Sequence, residues 1–369
     1  GLGDVYKRQV IVHVTQAWAT DSAKWCLGYR RSQRMHDILV VGAGAVGCFY
    51  ASRLAEGGAK VSLVCRSNYE PVSHTGVYME THSFGNYTFH PEHVFPSVEK
   101  ARGKRWNYVI VATKALSMDN KALQFLDPVI SSHTTIVLIQ NGVLVEKPFR
   151  ERYERVPIIS CVTMVSASLD APNHCVQHCW TRMSIGPYTD FFAHVDNEEF
   201  HSLMEKAQCG VRELAQIFEN GGIRDIDPCD GLMLQLARWH KVAINAAFNV
   251  TGVLAGGIGN ATQVKDPLLR MHLYACMNEV FDAAPQIFGE PLPDKFSSPE
   301  KVIRANEHNT NGFPSMVLDW KAGRPMEIDV ILGNPLLIAS RHNVEMPRLQ
   351  TMYALLHSAA REHHFNTRK

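Results

Sequence analysis

The chain has 369 residues, 46% of them hydrophobic and 20% charged, and a formal net charge of +1. That length suits two domains, and the near-neutral balance gives no electrostatic reason to expect nucleic acid or a membrane surface as a partner. No apolar run approaches the roughly 20 residues that a membrane-spanning helix needs, and no basic stripe interleaved with aromatic residues is present.

The first stretch, GLGDVYKRQ, has neither an initiator Met nor a periodicity. One back-translation of Asp4 to Gln9 resembles the end sequence of a transposon used to prepare sequencing libraries. Residues 1 to 9 are therefore expected to be a cloning or sequencing scar. Residues 10 to 34 are expected to be upstream translation or disordered chain, with Met35 as the biological start. The alternative is an organelle presequence, because Lys24, Arg30, Arg31 and Arg34 stand against Asp21 alone. Nine cysteines without paired spacing fit free thiols in a reducing compartment. The expected location is the cytoplasm, or the mitochondrion on the presequence reading.

Residues 37 to 66, DILVVGAGAVGCFYASRLAEGGAKVSLVCR, carry the most information. Ile38 to Val41 form a short apolar run of the kind that makes a buried parallel strand. Gly42, Gly44 and Gly47 follow in G-x-G-x-x-G spacing, then a helix from about 45 to 56 and a second strand from 60 to 65. In that context the glycines give a tight turn, close approach to a pyrophosphate and close helix–strand packing. Gly44, Ala45, Val46 and Gly47 then present the positive end of the helix to the phosphates. At the end of the second strand an NAD-binding chain usually carries an acid for the ribose 2′-hydroxyl. Here Cys65, Arg66, Ser67 and Asn68 precede the first acid, Glu70. A guanidinium pairs with a 2′-phosphate that a carboxylate would repel, so the expected cofactor is NADP(H), with Arg66 as its phosphate contact.

Further on, VYMETHSFGNYTFHP alternates like short antiparallel strands, and YVIVATKA and TIVLIQNG are strands that end in polar residues. Lys114 and Asn141 should emerge at the carboxyl edge of the sheet, near the nicotinamide. VPIISCVTMVSASL and TRMSIGPY supply more strands. In NHCVQHC, His174 and His178 fall on one face of a strand and Cys175 and Cys179 on the other, so a plain strand is expected rather than a metal site. DPCDG at 227 to 231 looks like a joint between domains.

From about Glu198 the pattern turns helical, and after Asp230 it is almost wholly so, over roughly 198 to 220, 231 to 248, 264 to 288, 315 to 321, 327 to 343 and 347 to 363. The helix around ARWHKVAINAAFN is apolar except for Lys241, Asn245 and Asn249, which stack along one stripe at i, i+4 and i+8. Such residues could merely snorkel or satisfy backbone groups.

Taken with VGAGAVG, TKA, IQNG, WHKVAINAAFN and SMVLDWKAGRPMEID, the chain from about 37 to 360 resembles the ketopantoate reductase (2-dehydropantoate 2-reductase) family, in a fungal-type form. The resemblance implies an α/β fold in which an N-terminal Rossmann-type doubly wound sheet, residues 35 to 228, is followed by an all-α C-terminal substrate domain, residues 229 to 369. It implies NADPH-dependent reduction of 2-dehydropantoate to pantoate on the way to pantothenate and coenzyme A, with no metal. Lys241 corresponds to the general acid and Glu327 to a second catalytic group. Asn141, Asn245, Asn249 and Ser315 correspond to substrate-binding residues, and Lys114, Asn141 and Arg66 to residues around the cofactor. In such a site Lys241 can protonate the oxygen of a ketone as hydride arrives, and Ser315 can donate to a carboxylate. Glu327 can hold the ammonium or a substrate hydroxyl, and a charge partner would keep Lys241 protonated. Asp319, one turn after Ser315, could orient the group.

The chain departs from bacterial members after Asn249, where VTGVLAGGIGN replaces a proline-containing stretch, and Asn260 only roughly matches a further binding asparagine. The expected partners are a small 2-oxo acid and a second copy in a homodimer, with no nucleic acid or membrane. Two other readings compete: a reductase of another 2-oxo or β-hydroxy acid, and a catalytically silent NADP-binding redox sensor.

Overall fold

Strand-forming residues cluster in the first half of the chain because valine and isoleucine there occur in short continuous runs, and such runs need cover on both faces. The computed structural model describes residues 35–116, 121–189, 198–310 and 312–366, with side chains as far as 361. The scar, upstream and presequence expectations for residues 1 to 34 lie outside the described residues.

The elements in chain order are β1 (Asp37–Val41), α1 (Ala45–Glu56), β2 (Lys60–Val64), α2 (Tyr69–Thr75), β3 (Val77–Thr81), β4 (Gly85–Phe89) and β5 (Val94–Phe95). After them come β6 (Tyr108–Val111), β7 (Thr135–Leu138), α3 (Lys147–Arg152), β8 (Ile158–Ala171), β9 (His174–Pro187), α4 (Glu198–Asn220) and β10 (Ile226–Pro228). They form one ten-stranded sheet of order β4-β3-β9-β8-β7-β6-β1-β2-β5, with β10 added alongside β9. From β5 to β8 every pairing is parallel. The order runs outward from β1 in both directions, so the carboxyl ends of β1 and β6 flank a topological switch point. Open sheets of this kind bind ligands at that crevice.

Successive residues of β1 feed opposite faces. Ile38 and Val40 enter a core with Phe49, Leu54, Val211 and Phe218 from α1 and α4, while Leu39 and Val41 enter another with Trp106, Leu123 and Phe149. The far side of the sheet is mixed: the long β8–β9 hairpin and the short β3–β4 hairpin are antiparallel, while β3 and β10 run parallel to β9. The NHCVQHC stretch lies in β9 as a plain strand. There His174 meets Glu80 at 3.2 Å, His178 meets Ser168 at 3.0 Å, and the Cys175 thiol faces the Ala45 carbonyl at 3.4 Å.

The remainder is helical: α5 (Gly231–Leu254), α6 (Asn260–Lys265), α7 (Pro267–Phe288), α8 (Pro299–Asn306), α9 (Ser315–Lys321), a π turn (Asp329–Gly333), α10 (Asn334–Arg341) and α11 (Pro347–Asn366). Several expected boundaries move, each for a local reason. The helix expected to stop at 248 continues to Leu254, because Gly252 leaves room for Val317 and Gln263; a Cβ there would lie 2.7 Å from each. The helix expected from 264 to 288 breaks at Asp266, whose carboxylate accepts from the amides of Leu268 and Leu269 and starts α7 afresh. The stretch expected as one helix from 327 to 343 begins as the π turn, and α8, capped by Ser298 and led by Pro299, was not anticipated.

DPCDG lies between the last strand of the sheet and the long helix α5, and it is structured. Its first residues belong to β10, and Asp230 caps α5 by accepting from the Met233 amide at 2.8 Å. One core then takes in both the helices and the sheet's carboxyl edge: Trp239, Phe248, Met277 and Leu332 pack in the same cluster as Ala115, Val143, Val145 and Val162. Asp230→Ala should lower stability by about 1 kcal/mol, the usual worth of an N-cap. Thermal unfolding checks this, and an unchanged melting point would mean the cap is idle.

Candidate active site

The turn after β1 is built around glycine for reasons that differ by position. Gly42 sits at φ +110, and a Cβ on it would stand 2.8 Å from the backbone of Ala112 and Thr113 at the end of β6. A Cβ on Gly47 would meet the Gly42 carbonyl oxygen at 1.9 Å. Both are imposed by the fold itself. Gly44 is different: its φ of −79 suits any residue, and a Cβ would meet nothing within 4 Å. No side chain caps α1 and no acid occupies its first turn. The amides of Ala45 and Val46 therefore open onto unobstructed space beside an exposed Gly44. Such a cradle fits a dinucleotide's pyrophosphate, held close to backbone at a positive helix end.

Asn68, which the sequence pattern did not single out, braces this turn by donating from Nδ2 to the carbonyls of Ala43 at 3.0 Å and Pro172 at 3.1 Å. Arg66 is exposed just beyond β2, in the position where a ribose substituent would be read. Cys65 beside it is buried, and burial pushes its thiol up to about 12, so it stays protonated and inert.

Across the switch point, Glu327 ties the sheet to the helices. Its buried carboxylate accepts from the Ala115 amide at 2.8 Å and from Asn141 Nδ2 at 3.2 Å. Next to Asn141, Gly142 adopts φ +89 with a would-be Cβ 2.4 Å from the Val330 carbonyl oxygen, and Val143 donates to that same oxygen at 3.0 Å. No residue larger than glycine fits so close an approach. Lys114 forms an ion pair with buried Asp319, which Arg324 shares at 3.1 Å. Asp319 thus anchors two cations.

Lys241 corrects one expectation. It makes no ion pair with Glu327 among the described residues; its ammonium donates instead to the Thr163 carbonyl of β8. Burial, together with the positive charge of Arg238 one turn earlier, lowers its pKa to about 8, and the opposing pull of Glu327 does not cancel them. At neutral pH Lys241 is still mostly protonated.

Asn245 is half-buried on the same stripe, and Asn249 is 3% exposed with its Nδ2 buried and unpartnered. A buried donor without an acceptor is costly, so it is a natural place for a ligand oxygen. Ser315 is exposed at the first residue of α9, a helix that packs on α5. Asn260 is engaged elsewhere, with its Nδ2 on Asn306 at 3.0 Å.

The sequence reading missed Arg238 and Glu146. Arg238 is 1% exposed, pairs with Glu146 at 2.9 Å, and donates to the carbonyls of Gln140 at 3.0 Å and Gly142 at 2.8 Å. An arginine in the apolar context LARW was the available signal, since a buried guanidinium requires a partner.

Comparison with known proteins gives concordant matches. The family model "Ketopantoate reductase PanE/ApbA" matches residues 38–190, and its C-terminal counterpart matches residues 233–360. A 2-dehydropantoate 2-reductase of Nostoc is 24% identical over 87% of this chain and 94% of its own length. The Saccharomyces cerevisiae protein YDL144C is 27% identical over 87% of this chain and 93% of its own. The crystal structure of 2-dehydropantoate 2-reductase from Methylococcus capsulatus is 29% identical, with a TM-score of 0.73 over 89% of this chain and 97% of that one.

The glycine turn generates a paired prediction. Gly42→Ala should destabilise the fold by about 1–3 kcal/mol through backbone strain. Gly44→Ala should leave the melting point nearly unchanged while weakening nucleotide binding roughly tenfold or more. Calorimetric melts and nucleotide titrations check both; a fold-damaging Gly44→Ala would show that its open space is not a ligand's.

Proposed function

Because the chain belongs to the ketopantoate reductase family, we propose that it reduces 2-dehydropantoate to pantoate with NADPH, the step that leads to pantothenate and coenzyme A. The observation that carries this reading is Lys241. It is a half-buried ammonium with its pKa lowered to about 8, on the same helix stripe as the unpaired donor of Asn249. Around it the carboxyl edges of β6 and β7 are clasped by Glu327.

A nicotinamide cofactor held at the glycine turn and by Arg66 would supply a hydride for C2 of the substrate. Lys241 hydrogen-bonds the ketone oxygen and gives it a proton as negative charge develops there. A lysine near pH 8 is charged enough to be ready and acidic enough to yield the proton. Asn245 and Asn249 bind the substrate's polar groups without adding charge, and the exposed Ser315 hydroxyl donates to its carboxylate. Glu327 works as an orienting acceptor: by holding Asn141 and the Ala115 amide it fixes the donors on the cofactor side of the cleft. The balance is one hydride and one proton added to the ketone, leaving NADP⁺ and the alcohol. Arg66, with no acid at the end of β2, supports NADPH over NADH.

Steady-state NADPH oxidation against a panel of 2-oxo acids tests the substrate, with 2-dehydropantoate expected to give the highest kcat/KM. A better turnover of another 2-oxo acid would replace the named substrate, and no turnover of any would favour a binding role. Lys241→Ala should cut kcat/KM by roughly 10²–10⁴ with NADPH affinity intact. The pH profile follows from the sign of the lysine's shift. Reduction needs the protonated form, so kcat/KM should be level below about pH 8 and fall as pH rises through it. A profile flat to pH 10 would exclude Lys241 as the donor. Arg66→Ala should weaken NADPH roughly 10- to 100-fold and leave NADH unchanged; equal loss for both would remove Arg66 from the cofactor's 2′-phosphate.

A further inference from the structure

We propose that Arg238 is the positioning residue of this site, holding through Nη1 the two carbonyls that flank Asn141 and fixing the charge environment one turn before Lys241. This rests on the reading of Lys241 as the proton donor. The geometry points to more than structural filling. A guanidinium has its donors in one rigid plane. Here that plane reaches the carbonyl of Gln140 at 3.0 Å and that of Gly142 at 2.8 Å, which flank Asn141 in the chain. Asn141 is held at its two neighbours' carbonyls by Arg238 and at its side chain by Glu327.

The same guanidinium donates to Ser160 Oγ of β8, and Ser160 in turn donates to Glu146 Oε1 at 2.7 Å. The carboxylate of Glu146 also meets Arg238 Nε at 2.9 Å, and both side chains are 1% exposed. This closed arrangement locks α5 to β8 and to the loop after β7 at the turn just before Lys241. β8 also supplies the Thr163 carbonyl that receives the Lys241 ammonium.

Two charges bear on Lys241: Arg238 on its own helix and Glu327 on the segment before the π turn, and its ammonium donates to the neutral Thr163 carbonyl of β8. Glu146 is committed to Arg238 and Ser160. Arg238 opposes the proton on Lys241 and Glu327 favours it, with burial on the side of Arg238. The fork and the charge of Arg238 are thus separable contributions, one geometric and one electrostatic.

Two variants separate them. Arg238→Lys keeps the charge and loses the fork. It should raise KM for the 2-oxo acid and lower kcat together, at least tenfold in kcat/KM, with the pH inflection near 8 retained. The double variant Arg238→Gln with Glu146→Gln keeps hydrogen-bonding amides and removes both charges. Its inflection should move up by half a pH unit or more. Lys241 is also titrated directly by NMR on ε-¹³C-labelled lysine in the full chain, a readout that needs no turnover. The double variant's resonance should titrate at higher pH than that of the unmodified protein. An unmoved Lys241 titration in the double variant, or Arg238→Lys with wild-type kcat/KM, would overturn the proposal and leave Arg238 a stabilising residue, even if both melt lower. If the unmodified chain reduces no 2-oxo acid while the Lys241 titration still shifts, the assigned reaction fails and the electrostatic role of Arg238 stands.

Discussion

A charged group taken out of water must be given partners inside the protein, and Arg238 is where this molecule meets that demand. Its guanidinium donates to one hydroxyl and two backbone carbonyls, from β8 and the loop after β7, and its Nε makes no hydrogen bond but forms an ion pair at 2.9 Å with the carboxylate of α3's leading residue Glu146. Removing one partner of such a buried pair generally costs about 3–5 kcal/mol. The pair therefore fixes where α5 can lie against the sheet. Lys241, one turn further along α5, takes its place from that contact, and the neighbouring Trp239 ties the helix to the Val280 carbonyl of α7 at 2.7 Å.

A second contact completes the cleft from the other direction. Glu327 reaches back from the segment before the π turn to the ends of β6 and β7, and the Gly142–Val330 approach lets that segment come close enough to do so. The sheet's carboxyl edge is thus held by helical residues on two sides. Lys114 is held there by Asp319, Asn141 by Glu327 and Lys241 by the Thr163 carbonyl, while Asn249 keeps a buried donor without a partner. The lowered pKa of Lys241 is a consequence of the same packing, since burial penalises the ammonium.

Much of this was legible in the sequence wherever chemistry is local. G-x-G-x-x-G between a strand and a helix announces its own turn, and β1, α1, β2, β6 and β7 fall where the apolar runs end. The Lys241–Asn245–Asn249 stripe follows from helical periodicity alone. What was not legible depends on partners distant in the chain. Glu327 looked like a counter-ion for Lys241, but the Ala115 amide, 212 residues away in sequence, claims its carboxylate instead. Arg238 sits among apolar residues and gives no hint that Glu146 waits across the core. The break at Asp266 and the extension through Gly252 turn on a cap and a close approach, which periodicity does not encode.

The central claim is that the cleft transfers hydride from NADPH to a 2-oxo acid carbonyl. The most direct measurement incubates the chain with NADPH deuterated at nicotinamide C4 and 2-dehydropantoate, then locates the label by mass spectrometry and NMR. The account predicts pantoate carrying deuterium at C2, formed one-for-one with NADP⁺ when the transferred face is labelled. NADPH that binds but yields neither NADP⁺ nor labelled hydroxy acid, with this or any other 2-oxo acid, would contradict it.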